Sequence, residues 1–222
     1  MSDAPLIQAE GLVKNYGTLT VLRGIDLHIR REEIVAVVGP SGAGKSTLLH
    51  ILGTVDKPDK GSVHYEQTDV MRLGDRELSR FRNRNIGFVY QQHQLLPEFS
   101  AHENVLLPAM IGDLQTRETD AYLDELFGLM GIKARAGHRP SQLSGGEQQR
   151  FAVARALINR PKVVLADEPS GNLDTYHARQ LHELFFTLRD RYGQTFVIVT
   201  HNPELAARAD RTLHLTDGQL SP

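Results

Sequence analysis

The chain has 222 residues, 40% of them hydrophobic, and its 25 Lys and Arg against 27 Asp and Glu give a formal net charge of −2. This near balance offers no basic footprint for nucleic acid, and the lack of cysteine excludes disulfides and thiolate metal sites. Residues 1–5 have neither the basic nor the apolar region of a signal peptide, and no apolar run approaches the roughly 20 residues that cross a bilayer. The length fits one domain, or one with a small subdomain. We therefore expect no nucleic-acid partner and no direct insertion into a membrane.

The first predicted elements are two strands over residues 6–14 and 19–29, where apolar and polar residues alternate as in an antiparallel sheet. Tyr16 and Gly17 form the predicted turn between them. Tyr16 either covers the sheet edge as an ordinary turn aromatic or stacks on a nucleobase. The local pattern does not separate these two roles.

A glycine-rich segment follows the apolar run at 34–38 and precedes a leucine-rich helix. This order of strand, turn and helix fits the P-loop pattern G-x-x-x-x-G-K-[ST]. The segment consists of Gly39, Pro40, Ser41, Gly42, Ala43, Gly44, Lys45, Ser46 and Thr47. Its glycines let backbone N–H groups point at phosphate oxygens, and the helix adds the positive end of its dipole. Lys45 can reach the terminal phosphates and the Ser46 hydroxyl can bind Mg2+, so the segment predicts a nucleoside triphosphate site.

The middle of the chain predicts helices. Ser100 and Glu103 fit a capping box. The residues that follow, up to 111, are apolar around two helical turns, and they serve either as local core or as a docking surface for a partner. Their large apolar members are Val105, Leu106, Leu107, Met110 and Ile111. Residues 117–130 have apolar side chains at helical spacing and end at Gly131, which predicts a core helix with a glycine C-cap.

A second capping box, formed by Ser144 and Glu147, begins a helix that is predicted to run to about Asn159. Gly145 and Gly146 stand at its N-terminus. The free N–H groups of such a terminus can bind an anion. A tight loop that merely leads into a helix has the same composition, so both interpretations stay open.

Three further apolar strands end in polar side chains that suit phosphate chemistry. Gln91 follows the first strand, Asp167 and Glu168 follow the second, and His201 follows the third. A carboxylate at a strand end can hold Mg2+ together with the P-loop serine, which predicts that role for Asp167. Glu168 is then placed to orient or deprotonate a water molecule. His201 can hydrogen-bond a γ-phosphate or act as an ordinary cap.

Taken together, these motifs resemble the ATP-binding subunits of ABC transporters over nearly the whole chain. The family's signature, LSGGEQQR, stands unbroken at 143–150. The resemblance assigns Tyr16 to adenine stacking, Gln91 to the Q-loop, Asp167 to the Walker B motif, Glu168 to the catalytic glutamate, Asp174 to the D-loop and His201 to the H-loop. It also places Gln91 with Ser46 and Asp167 at the metal.

The resemblance implies an α/β fold, with a P-loop NTPase core on a mainly parallel sheet, an N-terminal antiparallel β subdomain and an α-helical signature subdomain. A single domain over residues 1–222 would divide into a core (1–90 and 160–222) and a Q-loop and helical part (about 91–159). ATP and Mg2+ are the implied ligands. The implied assembly is a head-to-tail homodimer, in which Ser144, Gly145 and Gly146 of one copy close the nucleotide held by the other.

Two longer segments, 87–105 and 165–174, are similar to the ATPases of lipoprotein-releasing systems, although macrolide-exporter and cell-division ATPases share much of the pattern. Ser170 stands where threonine is common, and Gln92 follows the Q-loop glutamine where other residues are frequent. These departures leave the transported substrate open.

The expected function is ATP hydrolysis that powers a membrane complex for lipoprotein release. The protein would work at the cytoplasmic face of the inner membrane, through integral membrane permease subunits that dock near residues 95–111. One alternative is a regulatory ATPase that signals through a membrane partner, and a second is an exporter ATPase of the macrolide-exporter type. A soluble ATPase acting on DNA or ribosomes is disfavoured, because the span from Gln91 to Ser144 is too short for a long coiled-coil insertion.

Overall fold

The computed structural model describes residues 4–221 of the chain. The first three of the residues on which the signal-peptide expectation rests lie outside this range. The strands are β1 (Ile7–Tyr16), β2 (Leu19–Ile29), β3 (Ile34–Val38), β4 (Lys60–Tyr65), β5 (Thr68–Asp69), β6 (Ile86–Tyr90), β7 (Val163–Asp167), β8 (Thr195–Val199), β9 (Arg211–Thr216) and β10 (Gln219–Ser221). The α-helices are α1 (Lys45–Leu52), α2 (Asp75–Asn85), α3 (Ala101–Ile111), α4 (Arg117–Met130), α5 (Gly145–Leu157), α6 (Thr175–Tyr192) and α7 (Pro203–Arg208).

The N-terminal strands form a four-stranded antiparallel sheet in the order β2-β1-β4-β5. This agrees with the alternating pattern of the first strands. Tyr16 differs from the expectation in one detail, because it is the last residue of β1 and pairs with Leu19, while Gly17 and Thr18 make the turn. Its backbone is therefore fixed by the sheet.

A six-stranded sheet in the order β10-β9-β3-β8-β7-β6 forms the centre of the molecule. The pairs from β9 to β6 are parallel, and β10 returns on β9 as an antiparallel hairpin. The mainly parallel sheet confirms the predicted α/β class. Parallel strands of this kind are buried on both faces, which is why they read as unbroken apolar runs in the sequence.

Two hydrophobic layers cover the central sheet, because successive side chains of a strand point to opposite faces. On β7, Val164 and Ala166 pack with the layer that contains α3, α4, α5 and α6. Val163 and Leu165 pack with the layer that contains α1 and the antiparallel sheet. The P-loop helix and the helical part of the chain thus lie on opposite sides of the sheet.

The predicted helix boundaries follow local capping chemistry. Ser100 caps α3 and Ser144 caps α5, and in both helices a glutamate at the third position accepts a hydrogen bond from the backbone N–H of the capping serine. Gly131 ends α4 in the left-handed conformation, with φ of 67°. The predicted core role of α4 is confirmed by its buried apolar side chains, Tyr122, Leu123, Leu126, Phe127 and Met130.

Helix α3 divides the apolar stretch that the sequence left undecided. Val105 and Leu106 are buried in the core, whereas Met110 and Ile111 are 56% and 78% exposed. Of the two interpretations left open by the sequence, local core therefore holds for the first turns, which pack on α5 and neighbouring elements. The end of the helix keeps its apolar side chains in solvent.

Within residues 4–221, no helix combines the length and apolarity needed to span a membrane.

Candidate nucleotide site

Four neighbouring parallel strands, β3, β8, β7 and β6, end in register at one edge of the central sheet. Their paired residues form one row, which consists of Val37, Val199, Asp167 and Tyr90. The P-loop, His201, Glu168 and Gln91 follow the ends of these strands. A ligand at the carboxyl edge of a parallel sheet meets the groups that follow its strands. The topology therefore gathers most of the predicted site residues along a single edge.

The P-loop has a backbone that only glycine tolerates at critical points. Gly39 has φ of 155°, and a Cβ there would lie 2.0 Å from the carbonyl oxygen of Leu215. Gly44, at the N-cap of α1, has φ of 102°. Lys45 is 7% exposed, and its Nζ donates to the carbonyl oxygens of Gly39 and Pro40 at 2.9 and 3.0 Å. The loop thus curls around a buried ammonium group, at a helix N-terminus whose first N–H groups have no intrahelical partner.

Glu168 and His201 form a close pair beside the P-loop strand. Glu168 has φ of 46°, and its N–H donates to the carbonyl oxygen of Val199 at 2.9 Å. Its Oε2 accepts from the backbone N–H of His201 at 3.2 Å, and its Oε1 lies 3.1 Å from Nε2 of that histidine. Among the described residues Oε1 has no aligned hydrogen bond. This carboxylate oxygen is therefore held in place with a free lone pair.

Gln91 is joined to the segment that follows the acidic strand end. Its Nε2 donates to Oδ1 of Asn172 at 3.2 Å, and Nδ2 of Asn172 donates to the carbonyl oxygen of Gln91 at 3.2 Å. A Cβ at Gly171 would lie 2.8 Å from Nε2 of Gln91, so the two loops approach closely. This contact links the edge of the sheet to the segment 171–174.

The N-terminus of α5 is a separate, accessible feature. The side chain of Ser144 accepts from the N–H of Glu147 at 3.3 Å, and both N–H and Oγ of Ser144 donate to Oε2 of Glu147. The hydrogen bond from the Ser144 backbone, more than any other cause, lowers the pKa of Glu147. Ser144 and Gly145 are exposed. Within residues 4–221, no hydrogen bond joins this cap to the P-loop.

Asp174 lies beside this second N-terminus. It caps α6, where its Oδ1 accepts from the N–H of His177 at 2.9 Å and its Oδ2 lies 2.6 Å from Nδ1 of the same residue. These hydrogen bonds, the backbone one first, lower the pKa of Asp174. A Cβ at Gly146 would lie 2.8 Å from the His177 ring, so the two helix starts are packed together.

The structure thus divides the predicted residues into two groups. The P-loop, Gln91, Asp167, Glu168 and His201 follow the ends of neighbouring strands, whereas Ser144, Gly145, Gly146 and Asp174 cluster around two helix N-termini. Tyr16 lies at the end of β1, close enough to the Thr47 hydroxyl for that group to influence its pKa. The hydrogen bond between Gln91 and Asn172 joins the first group to the segment 171–174, which carries Asp174 of the second group.

Three residues at the site were not singled out by the sequence. Asn172 lies inside the segment that resembles the D-loop, and His177 follows the N-cap Asp174 at the spacing of a capping contact, so both had a local signal. Asp56, which accepts a hydrogen bond from Tyr16, had none, because the two residues are 40 positions apart.

A glycine-rich loop and an acidic strand end at the carboxyl edge of a parallel sheet define a P-loop nucleotide hydrolase. Residues 22–171 match the ABC transporter family. The lipoprotein-releasing system ATP-binding protein LolD of Bacteroides fragilis is 57% identical over 97% of this chain and 100% of its own length. The protein of the same name from Bordetella pertussis is 50% identical over 98% of this chain and 96% of its own.

A solved structure, the dimeric post-hydrolysis state of the ATP-binding cassette MJ0796 bound to ADP and Pi, has a TM-score of 0.88. It is 36% identical to this chain, and the match covers 97% of each. The chain therefore belongs to the ABC transporter family, as an ATP-binding cassette that hydrolyses ATP. The predicted family, fold and enzyme class are confirmed.

Proposed function

We propose that this chain is the ATPase subunit of a complex that releases lipoproteins from the inner membrane. The observation that carries this proposal is its similarity to lipoprotein-releasing ATPases over nearly their whole length. The protein works at the cytoplasmic face of that membrane. It is held there by integral membrane permease subunits of the LolC and LolE type.

The strand-edge group is the proposed ATP site. The P-loop backbone and Lys45 bind the phosphates, and Tyr16 stacks on adenine. Ser46, Gln91 and Asp167 offer a hydroxyl, an amide and a carboxylate oxygen, the hard donors that Mg2+ takes together with substrate phosphates. When bound, Mg2+ neutralises charge on the β- and γ-phosphates. This donor set therefore fits the proposed metal.

Glu168 is the proposed base for the attacking water. Its carboxylate is oriented by two contacts with His201 and retains a free lone pair on Oε1. This carboxylate is the group that would accept a proton from a water placed for in-line attack on the γ-phosphate. His201 keeps Glu168 in position and donates to the γ-phosphate. Phosphoryl transfer needs mainly positioning and charge stabilisation, which these groups supply.

A second copy of the chain completes each proposed site. Ser144 and Gly145 present a solvent-exposed helix N-terminus that no hydrogen bond ties to the P-loop within residues 4–221. Such a terminus favours anions. In a head-to-tail homodimer, Ser144, Gly145 and Gly146 of one copy bind the γ-phosphate held by the other, and Asp174 lies at the same interface.

The permease is proposed to dock along residues 95–111, where the exposed apolar side chains are Leu96 and Phe99 before α3 and Met110 and Ile111 at its end. This docking surface belongs to the proposed helical subdomain of about residues 91–159. Beside Ile111, a groove of about 690 Å³ lies between the end of α3 and α2, and its charged lining is three arginines, Arg76, Arg80 and Arg84, and one acid, Asp113. These arginines recur every four residues, so they form one helical face. An apolar segment with acidic flanks fits this surface.

Ile111→Asp is expected to abolish recovery of the permease with the tagged chain, while ATPase activity without permease stays within about twofold of wild type. A charge at this exposed position removes apolar contact from the docking surface but touches no residue of the strand edge. Affinity purification from detergent-solubilised membranes measures the first effect, and phosphate release measures the second. Ile111→Leu is the matched control and should retain the permease. Full retention by Ile111→Asp would move the docking surface elsewhere.

The function is tested by purifying the tagged chain from membranes of its own cells. A four-span permease with a large extracytoplasmic domain is the expected partner. Proteoliposomes of that complex should release a bound lipoprotein to a soluble acceptor only when MgATP is supplied. A partner that carries or recruits a cell-wall hydrolase, with no release of lipoprotein, would instead indicate a signalling ATPase.

A further inference from the structure

We infer that Asp56 is a positioning residue, which fixes the ring of Tyr16 as a platform for the adenine base and is itself held by Lys14. The inference rests on the proposed stacking role of Tyr16. In this role, Asp56 forms a polar link between the end of β1 and the P-loop helix α1.

The carboxylate of Asp56 has both oxygens engaged by β1. The Tyr16 hydroxyl donates to Oδ2 at 2.6 Å, and Nζ of Lys14 donates to Oδ1 at 2.7 Å. The same ammonium also donates to the carbonyl oxygen of Lys57 at 2.7 Å, and only 11% of the Lys14 side chain is exposed. The largely buried ammonium therefore fixes the carboxylate that the tyrosine hydroxyl needs.

Asp56 is in turn tied to the P-loop helix. The N–H groups of Val55 and Asp56 donate to the carbonyl oxygen of His50, in the last turn of α1, at 2.9 and 3.2 Å. The loop that carries Asp56 is therefore hydrogen-bonded to the end of the helix that begins at Lys45. These contacts hold the Tyr16 ring, which stacks on the base, at a fixed position relative to the P-loop, which binds the phosphates.

A second acid secures the same strand end. The N–H and Nδ2 of Asn15 both donate to Oδ2 of Asp59, at 2.6 and 2.9 Å, and the N–H of Asp59 donates to the carbonyl oxygen of Val13 at 2.8 Å. The backbone of Tyr16 is therefore fixed independently of its side chain. What Asp56 adds is the orientation of the ring.

The ring of Tyr16 has the exposure that a stacking platform needs. The residue is 51% exposed, and Nζ of Lys14 lies over the ring at 5.1 Å from its centroid. The ammonium occupies one face, so a base must stack on the other. Phenylalanine would offer the same ring without the hydroxyl that reaches Asp56.

The charges in this cluster support one another. The hydrogen bond to Asp56 is the main cause that raises the pKa of both Tyr16 and Lys14. Partial burial acts to raise the pKa of Asp56, but the hydrogen bonds from Lys14, Tyr16 and the backbone N–H of Lys57, together with the charge of Lys14, outweigh it, and the pKa is lowered. The carboxylate and the ammonium are thus both charged at neutral pH.

Asp56→Ala and Tyr16→Phe are each expected to raise the dissociation constant of MgADP about three- to tenfold, because a ring that is no longer fixed must be ordered on binding. The dissociation constant of inorganic tripolyphosphate, which has no base, should stay within twofold. Calorimetric titration of the full chain measures both dissociation constants.

The double variant should bind MgADP no more weakly than the weaker-binding single variant, because both changes remove the same hydrogen bond. Asp56→Asn, which keeps an acceptor for the hydroxyl, should recover part of the affinity, and Asp124→Asn is the exposed control.

Equal weakening of MgADP and tripolyphosphate by Asp56→Ala would overturn the inference, because it would show general damage to the P-loop. Unchanged MgADP binding by Tyr16→Phe would overturn it as well, and this variant removes a single oxygen from a half-exposed residue, so it should fold. Tyr16→Ala distinguishes failure of the stacking role of Tyr16 from failure of the positioning role of Asp56. If it leaves MgADP binding unchanged, the proposed stacking role fails. If it weakens binding while Tyr16→Phe and Asp56→Ala do not, only the role of Asp56 fails.

Discussion

Glu168→Gln is expected to lower the kcat for ATP hydrolysis by about 100-fold or more, the scale that a positioned general base contributes. The amide keeps the size of the carboxylate and one acceptor for the N–H of His201, so the strand end should keep its structure. It cannot take a proton from water. Binding of MgATP should therefore persist while turnover stops, which separates the chemical step from the binding step.

Steady-state phosphate release and filter binding of labelled ATP measure the two quantities. Glu118→Gln is a suitable control, because Glu118 is an exposed glutamate in the first turn of α4, a helix that carries none of the proposed site residues. Hydrolysis by Glu168→Gln at a tenth of the wild-type rate or more would remove Glu168 from the role of general base. His201 would then be the next candidate, since it lies 3.1 Å from the same carboxylate.

Local signals were enough to predict the framework of the site. The P-loop, the capping boxes at Ser100 and Ser144, and the C-cap at Gly131 all depend on residues within a few positions of one another. The ends of the parallel strands could also be predicted from the sequence, because a buried strand is an unbroken apolar run. Once the strands pair in parallel, their carboxyl ends necessarily lie at one edge of the sheet.

The remaining features depend on packing between distant segments. Tyr16 and Asp56 are 40 residues apart, and Gln91 and Asn172 are 81 residues apart, so no local sequence pattern predicts either contact. The role of Tyr16 was ambiguous in the sequence for the same reason, because only its hydrogen bond to the distant Asp56 shows that its ring is held in one orientation. Similarly, the turns of α3 after its capping box are apolar on all sides, and only packing decides that Val105 is buried and Ile111 exposed.

The division of the site residues into two groups has a consequence for catalysis. Ser144 is exposed, and its own hydrogen bonds run to Glu147 within the capping box. The N-terminus of α5 can therefore bind a nucleotide phosphate only if another copy of the chain holds that nucleotide. The proposed homodimer therefore contains two sites, each with Lys45 from one copy and Ser144 from the other.

Lys45→Ala and Ser144→Arg are each expected to lower ATPase activity about 100-fold or more, through loss of a phosphate contact in one case and of a helix cap and its anion site in the other. A mixture of the two variants should recover activity. Random pairing makes about half of the dimers mixed, and in a symmetric head-to-tail dimer each mixed pair has one intact site of two. Independent sites would thus restore about a quarter of wild-type activity, measured as phosphate release.

Strict coupling between the two sites would reduce that recovery, so a second measurement is needed that requires only one closed site. With Glu168→Gln added to both variants, mixed dimers should retain about one ATP per dimer through gel filtration and elute ahead of the monomer. Neither variant alone should do so. If mixing gives neither phosphate release nor retained ATP, Ser144 does not act on the nucleotide of a second copy. The exposed cap of α5 would then serve the fold alone, and the P-loop edge would have to close by another element of its own chain.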